Sequence, residues 1–555
     1  MNRSDASSAI GIDFGTESGR VLVLDLATGA ELATETVRYR HGVIEDTLPS
    51  SGAQLELEWA LQHPLDYLEV IEQGIPLALQ SAGVSGDRVV GLGVDFTSCT
   101  VLPVTEDGTP LAVTDRWRDR PHAWPKLWKH HAAQPQADRL TEVAVQRGEA
   151  FLARYGQRIS SEWYFPKLLQ IYQEDRGVYE ATAAFLEATD WIVWQLTGTL
   201  CRSRCAAGYK AFWNEREGLP SPDYFEAACA GFSSARARLD ARFAALGTRA
   251  GLLRADLAAR VGLPATVAVA VGNVDSFVSV PAVGVERPGT FVTVVGTSIC
   301  SMAVGEEELP IPGITGVVED GILPGLYGYE AGQPAVGDML AWFVDRLLGS
   351  AGGGYGELEA AAAAPAPGAG GLVALDWWNG NRSVLADADL SGAIVGMTLS
   401  TTPAEIYRAL LESIAYSTRC IVDNFTTHGL GLDRVVACGG IAEKSPLLMQ
   451  LFADVTGRPV DVPASSQVPA RGAALFGAVA AGHFADTASA VAALRPAVAR
   501  SYAPDPAASA VYAQIYDVYR SLHDLLGREH VGLMHSLRRI RREATSPQGW
   551  TLTHA

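Results

Sequence analysis

Cysteine does little in this chain. The seven cysteines, at 99, 201, 205, 229, 300, 420 and 438, are odd in number and form no CxxC. This argues against a disulfide framework or a zinc knuckle and points to reduced thiols of the cytosolic kind. Long apolar runs are missing too: none approaches 18 uninterrupted residues, so no membrane span is expected. The N-terminal MNRSDASSAIGID lacks a long apolar core and a cleavage pattern, and a cytoplasmic protein is expected. Positive charge is scarce, with 43 Lys and Arg against 62 Asp and Glu and a net charge of −19. That disfavours a nucleic-acid binder, whose binding face is basic. A small anion remains a possible ligand, because local backbone N–H groups bind anions whatever the global charge. No GxGxxG opens a βαβ unit, so a nicotinamide cofactor is unsupported. The stretch around Gly439 has Glu443 where Walker A needs its second glycine, so it is not a P-loop. No GxSxG elbow occurs. His130 and His131 lack HExxH spacing and read as surface histidines.

With 555 residues, 48% of them hydrophobic, the chain can bury a large core, and two large domains fit its length. Apolar β-branched runs alternate with helical patterns, which predicts an α/β class. Strands are expected at 10–13, 20–25, 89–94, 99–104, 267–272, 290–295, 299–304 and 434–438. Helices are expected at 64–82, 162–174, 189–196, 334–348, 403–427 and 445–456. Thr402-Pro403 and Ser445-Pro446 each read as an N-cap followed by a first-turn proline. GIDFGTESGRVLVLD near the N-terminus is echoed by VTVVGTSICSMAV at 292–304. Both read strand, Gly-Thr turn, strand, about half the chain apart, as two related domains would, with a boundary near 276–288. Residues 349–371 are rich in Gly, Ala and Pro and read as a flexible surface insertion whose alanine run makes a short helix. Residues 507–543 look helical, and LRRIRRE at their end reads as a solvated face.

Three aspartates follow apolar runs and precede small residues: Asp13, Asp95 and Asp275. In open α/β sheets ligands lie at the carboxyl ends of strands, where a carboxylate can bind a metal, orient a hydroxyl or take its proton. Each alone also reads as a turn or cap aspartate. Gly15-Thr16 and Gly296-Thr297-Ser298 are turns where backbone N–H groups and hydroxyls can hold phosphate oxygens; each alone also reads as an ordinary hairpin. Gly439-Gly440 lies between a strand and a helix, and paired glycines let a flat ring lie on the main chain. A carboxylate beside a glycine turn suits Mg²⁺ with phosphate, since that ion takes hard oxygen ligands and keeps several waters.

In this order DFGTESGR, GNVDSF, VVGTS and CGGIAEKSPLLMQLFAD resemble the motifs of the FGGY family of carbohydrate kinases, over residues 9–482. The resemblance implies a duplicated actin-like, ribonuclease-H-like ATPase fold with an interdomain cleft. It places an N-terminal domain with sugar and catalytic base at 1–282, a nucleotide-binding domain at 283–500 and a helical extension at 501–555. GVDFTSCTVLPVTEDGTPL, SSEWYFPKLLQI, RCAAGYKAFWN, GYEAGQPAVGDMLAWF and DWWNGNRS look like the subgroup that phosphorylates L-ribulose on O5 with MgATP in arabinose breakdown. Position by position, the resemblance makes Asp275 the catalytic base and Asp13 the carboxylate near Mg²⁺. It sets Gly15 and Thr16 near the transferred phosphate, Gly296, Thr297 and Ser298 in a second phosphate loop, and Gly439 and Gly440 at the adenosine. Ser98, Lys210 and Glu330, with Asp275, would contact the ketose; Asp95 and Gln333 are further candidates. Two stretches depart from the subgroup: His130 stands where an acid is usual, and NGNRSV replaces NGRRTP. Either change could shift substrate choice. An aspartate of ordinary pKa near 3.9 is a weak base, sufficient where the proton leaves late. Lys210 and Glu330 would hydrogen-bond sugar hydroxyls, and the domains would close over the sugar and exclude water. A family member acting on xylulose, ribitol or glycerol, a sugar sensor with a degenerate site and a non-catalytic actin-like ATPase are the alternatives. Oligomeric state, a homodimer included, stays open.

Overall fold

Each Gly-Thr turn is the tip of a hairpin at the centre of its own seven-stranded sheet. A computed structural model of the chain describes residues 7–239, 242–349 and 354–545. The first sheet uses β1 (Ser8–Phe14), β2 (Ser18–Asp25), β3 (Glu31–Arg38), β4 (Val89–Phe96), β5 (Arg249–Leu252), β6 (Ala268–Ala270) and β7 (Asn273–Val274). Its order is β3-β2-β1-β4-β6-β5, with β7 also beside β4. The second uses β8 (Gly289–Val295), β9 (Ile299–Gly305), β10 (Gly316–Glu319), β11 (Tyr327–Gln333), β12 (Leu432–Cys438), β13 (Val460–Pro463) and β14 (Val498–Tyr502). Its order is β10-β11-β9-β8-β12-β13-β14.

The two orders match strand for strand once β10 is set aside. β1 and β8 are each antiparallel to the strand that follows and parallel to β4 or β12. The echo in the sequence is therefore a duplicated sheet. All seven residues of β1 are buried, as expected of a strand covered on both faces.

The helices that bear on the site and its frame are α1 (Pro64–Ala82), α2 (Tyr164–Glu174), α3 (Arg204–Lys210), α4 (Asp275–Ala282), α5 (Pro403–Thr427), α6 (Pro446–Thr456), α7 (Val468–Ala480), α8 (Pro506–Asp524) and α9 (Val531–Thr545), with others between. α5 opens on a full capping box, Thr402 with Glu405, and Ser445 caps α6.

α7 does not stay with its own sheet. It lies on β1 and β4 of the first sheet, where a stripe of Gly11, Gly91 and Gly93 clears its path. A Cβ on these three would stand 1.7–2.0 Å from the carbonyl oxygens of Ala470, Gly477 and Ala473. α7 also presses on α4, where a Cβ on Gly472 would meet the Val278 carbonyl at 2.2 Å. Around this crossing one apolar cluster joins residues of both halves, among them Leu22, Val278, Val292, Met302 and Leu475. Asp275 is the first residue of α4.

Of the 349–371 insertion, residues 350–353 lie outside the described residues. The alanine run does make a helix, Tyr355–Ala363, but it is docked and not a free surface loop. Leu358 and Ala362 are buried, and Glu359 accepts hydrogen bonds from Ser445 Oγ at 2.9 Å and Leu447 N–H at 3.1 Å. In the terminal basic stretch, Arg538 donates to the Leu390 carbonyl and Arg542 pairs with Asp389 at 2.7 Å. That face is therefore partly a contact and only partly solvated.

Candidate active site

Asp13 and Asp95 are register partners on parallel strands β1 and β4, and Asn273 pairs with Asp95 from the other side. Asp275 follows two residues later. Three carboxylates thus meet at the carboxyl ends of three adjacent strands. Asp13 has a counter-ion: Arg20 Nη1 donates to its Oδ2 at 2.8 Å. Arg20 is its partner in the hairpin register, a residue that the motif alone does not single out. Asp95 is fully buried, and neither of its oxygens finds a donor among the described residues. Burial, and then the charges of Asp13 and Asp275, push its pKa well above the carboxylate range. A proton on Asp95 lets it donate to Asp13. Asp275 accepts the Ser276 N–H at 2.7 Å. Burial, and next the Asp13 carboxylate, push its pKa up to about 7. The ordinary pKa expected from sequence is therefore corrected, since the sequence alone does not place Asp13 close by.

The two turns close in the same way but differ by one residue, four residues linking Phe14 to Gly19 and three linking Val295 to Ile299. Gly15 N–H bonds the Ser18 carbonyl, and Gly296 N–H bonds the Ser298 carbonyl, each at 3.0 Å. Around the first, Gln62 Nε2 donates to the Thr16 carbonyl at 2.8 Å and Trp128 Nε1 to Thr16 Oγ1 at 3.2 Å. The second is held from behind by Val336 and Gly337, whose N–H groups bond the carbonyls of Thr297 and Gly296. Gly439 packs against the end of β8: with φ +96°, a Cβ there would stand 2.7 Å from the Val295 carbonyl. The Gly296 turn and the Gly439-Gly440 turn are thereby brought together in one half of the molecule. Gly337, which has room for no side chain beside Gly296 and Ile441, was not anticipated.

On the opposite side Lys210, at the end of α3, reaches Glu330 on β11 of the other half at 2.9 Å. The pair is nearly sealed, with side-chain exposures of 6% and 10%. Burial alone would lower the Lys210 pKa; the Glu330 carboxylate overcomes it and leaves the value raised. Cys300 Sγ lies 3.7 Å from Glu330 Oε1. A second ion pair crosses between the halves beside the first, Arg382 to Glu162 at 3.0 Å. Neither residue was anticipated individually, although both lie in stretches that carried the subgroup resemblance. Ser98 presents a buried hydroxyl oxygen with no partner among the described residues.

Gln333 sits elsewhere. Its Nε2 donates to Asp376 and the Ile414 carbonyl, and its Oε1 accepts from Thr418, so its amide is fully engaged in tying α5 to β11. His130 is not a surface residue: it is fully buried, bonded to Gln170 at 2.9 Å and to Ala60 N–H at 3.3 Å. Burial, and then the charge of Lys126, hold its pKa well below the usual histidine value. His41, His63 and Asp66 also approach one another within 4.8 Å. The two rings stack at 4.1 Å and 15°, so their in-plane lone pairs run side by side. Both Asp66 oxygens bond His41, and this cluster reads as a helix-anchoring contact.

The chemistry of the donor set fits a hard cation. Asp13 offers a carboxylate near the Gly15 turn, and Arg20 engages its Oδ2. Hard oxygen ligands at one edge suit an ion that keeps several waters.

Family models match most of the chain. The N-terminal domain of the FGGY family of carbohydrate kinases covers residues 8–281, and its C-terminal domain covers 291–481. The chain is 49% identical over 546 residues to the ribulokinase of Halalkalibacterium halodurans, covering 96% of this chain and 97% of that one. It is 45% identical over 546 residues to the ribulokinase of Mycolicibacterium smegmatis, covering 96% of each. Among solved structures, the xylulose kinase of Rhodospirillum rubrum superposes with a TM-score of 0.78 at 25% identity, covering 95% of this chain and all of that one. The glycerol kinase of Plasmodium falciparum with ADP gives 0.76 at 15% identity, covering 93% and 98%, which shows the fold alone. With both domain models matched in order across the duplicated sheets, the chain belongs to the FGGY family of carbohydrate kinases.

Proposed function

We propose that this chain transfers the γ-phosphoryl group of ATP to O5 of L-ribulose, giving L-ribulose 5-phosphate for arabinose breakdown. The observation that carries the reading is the convergence of Asp13, Asp95 and Asp275, with a Gly-Thr turn on either side and the Lys210–Glu330 pair facing them. The ribulokinase relatives support the ketose, and the family supports ATP as donor.

In this reading Asp275 accepts the O5 proton as O5 attacks the γ-phosphorus; the O5–P bond forms, the bond to the β-phosphate oxygen breaks, and ADP leaves. A pKa near 7 suits a general base at neutral pH, and burial, with the like charge of Asp13 next, is what raises it. Lys210 and Glu330 hydrogen-bond sugar hydroxyls. A ligand lacking those hydroxyls leaves buried polar groups unpaired and is rejected. Because the two residues come from different halves, bound sugar joins the halves and water is kept from the phosphate. Gly15 and Thr16 lie near the transferred phosphate, Gly296, Thr297 and Ser298 hold the remaining phosphates, and Gly439 and Gly440 take the adenosine. Asp13 would hold Mg²⁺, which when bound offsets charge on the β and γ oxygens. We assign residues 1–282 to sugar and base, 283–500 to nucleotide and 501–555 to a helical extension.

The test is ADP release with ATP and Mg²⁺ against L-ribulose, D-ribulose, xylulose, ribitol and glycerol. Strong stimulation by L-ribulose is expected. Stimulation by another polyol alone would reassign the substrate, and turnover indifferent to sugar would point to a non-catalytic actin-like ATPase.

A further inference from the structure

We infer that Lys167 is a positioning residue for the ketose: its buried ammonium holds the Thr97–Thr100 turn in the conformation that presents Ser98. The inference rests on the sugar-site reading above. Lys167 lies on α2 and is fully buried. It makes no ion pair among the described residues. Its Nζ donates to three main-chain carbonyls, those of Cys99 at 2.6 Å, Leu127 at 2.9 Å and Lys126 at 3.4 Å. An ammonium has three donors and no acceptor, so this side chain serves as a fixed cation for backbone oxygens. Charge-assisted bonds of this kind are about twice as strong as neutral ones.

The carbonyl it grips most tightly belongs to a strained residue. Cys99 has φ +57°, the left-handed region that a non-glycine side chain enters only when its surroundings hold it there. No backbone N–H bonds the Cys99 carbonyl among the described residues. The neighbouring carbonyls depend on Lys167 less. Val101 N–H also bonds the Lys126 carbonyl at 3.1 Å, and His130 N–H also bonds the Leu127 carbonyl at 3.0 Å. Residue 98, immediately before the strained one, carries a buried and unpartnered hydroxyl oxygen. A buried polar atom without a partner costs stability unless something else meets it, and a sugar hydroxyl would meet it. If Cys99 relaxes to negative φ, the peptide before it turns and Ser98 leaves that place. The other supports of the turn are Thr97 N–H to the Phe14 carbonyl, Ala188 N–H to the Thr100 carbonyl, and the Thr100 hydroxyl against the Thr97 hydroxyl and carbonyl; these tie its two ends together, and none of them reaches the Cys99 carbonyl that Lys167 holds.

Three variants of the full chain test this: Lys167→Met, Ser98→Ala and both together, with KM for L-ribulose and for ATP measured on each. Lys167→Met keeps length and burial but donates nothing. Its ketose KM should rise roughly tenfold or more, the scale of one lost charged hydrogen bond, with the ATP KM within about twofold. The double variant should lose little beyond the larger single effect, because Lys167 acts through Ser98. A merely structural lysine would lower Tm and move both KM values together or neither. Lys167→Gln, which keeps two N–H donors one bond short, should fall between wild type and Met, and it carries the test if the Met variant does not fold. A ketose KM raised in either folded variant, with the ATP KM within about twofold and little further rise when Ser98→Ala is added, supports the inference; both KM values moving together overturns it. An unchanged ketose KM, or an effect that multiplies fully with that of Ser98→Ala, overturns it. If Ser98→Ala itself leaves the ketose KM unchanged, the sugar-site reading has failed, and the inference with it.

Discussion

Asp275→Asn should make the protein a worse enzyme and a more stable one. The carboxyl has its ordinary pKa of 3.8 lifted to about 7 by burial and by Asp13. That is about three tenfold steps, each worth about 1.4 kcal/mol, so the ionised group costs the folded state at most about 4 kcal/mol. The residue keeps some exposure to the cleft, and solvent screening brings the figure to about 2 kcal/mol. The sign follows from proton binding. The native state holds this proton up to about pH 7 while the unfolded chain releases it near 4, so stability is eroded as pH rises through that window. Asparagine never ionises, keeps an oxygen for the Ser276 N–H and adds donors toward Asp13. In metal-free buffer at pH 8, Tm should therefore rise by about 4 °C or more, at roughly 2–4 °C per kcal/mol for a domain of this size. Toward pH 5 the gain should shrink by more than half. Turnover with ATP, Mg²⁺ and L-ribulose should fall about a hundredfold or more. Differential scanning calorimetry across pH and a coupled ADP assay read the two effects. An unchanged Tm at pH 8 would refute the charge-cluster reasoning, and near-normal turnover in the folded variant would remove Asp275 as base.

Lys210→Ala should raise the ketose KM about tenfold or more with little change for ATP, and should cost about 3–5 kcal/mol of stability by leaving Glu330 buried and unpaired; steady-state kinetics and thermal melts check both. Lys210→Met with Glu330→Leu should regain most of that stability without sugar turnover, so an active double variant would contradict the proposed contacts. Gly439→Ala adds a Cβ 2.7 Å from the Val295 carbonyl at φ +96° and should raise the ATP KM while sparing that of the ketose. Gly93→Ala drives a Cβ to 1.9 Å from the Ala473 carbonyl, so α7 must lift from the first sheet; a loss of about 1–3 kcal/mol or more is expected, visible as a lower first unfolding transition.

Local pattern determined a good deal of this molecule. α1 and α5 run over the residues that their proline starts and apolar spacing delimit, 64–82 and 403–427, because caps and periodicity are written in adjacent residues. The two Gly-Thr hairpins were legible for the same reason, and Asp13, Asp95 and Asp275 stood out because each ends an apolar run. What tertiary structure decided is how distant segments meet. Register sets Asp13 beside Asp95 and Arg20, which is why one carboxylate has a counter-ion, another has none and the third titrates near neutrality. The glycine stripe at 11, 91 and 93 reads in sequence as weak strand; only the passage of α7 across it shows that those positions must lack a side chain. The ion pairs Lys210–Glu330 and Arg382–Glu162 span 120 and 220 residues of chain. No local rule pairs charges so far apart, since their meeting depends on how the two duplicated halves pack.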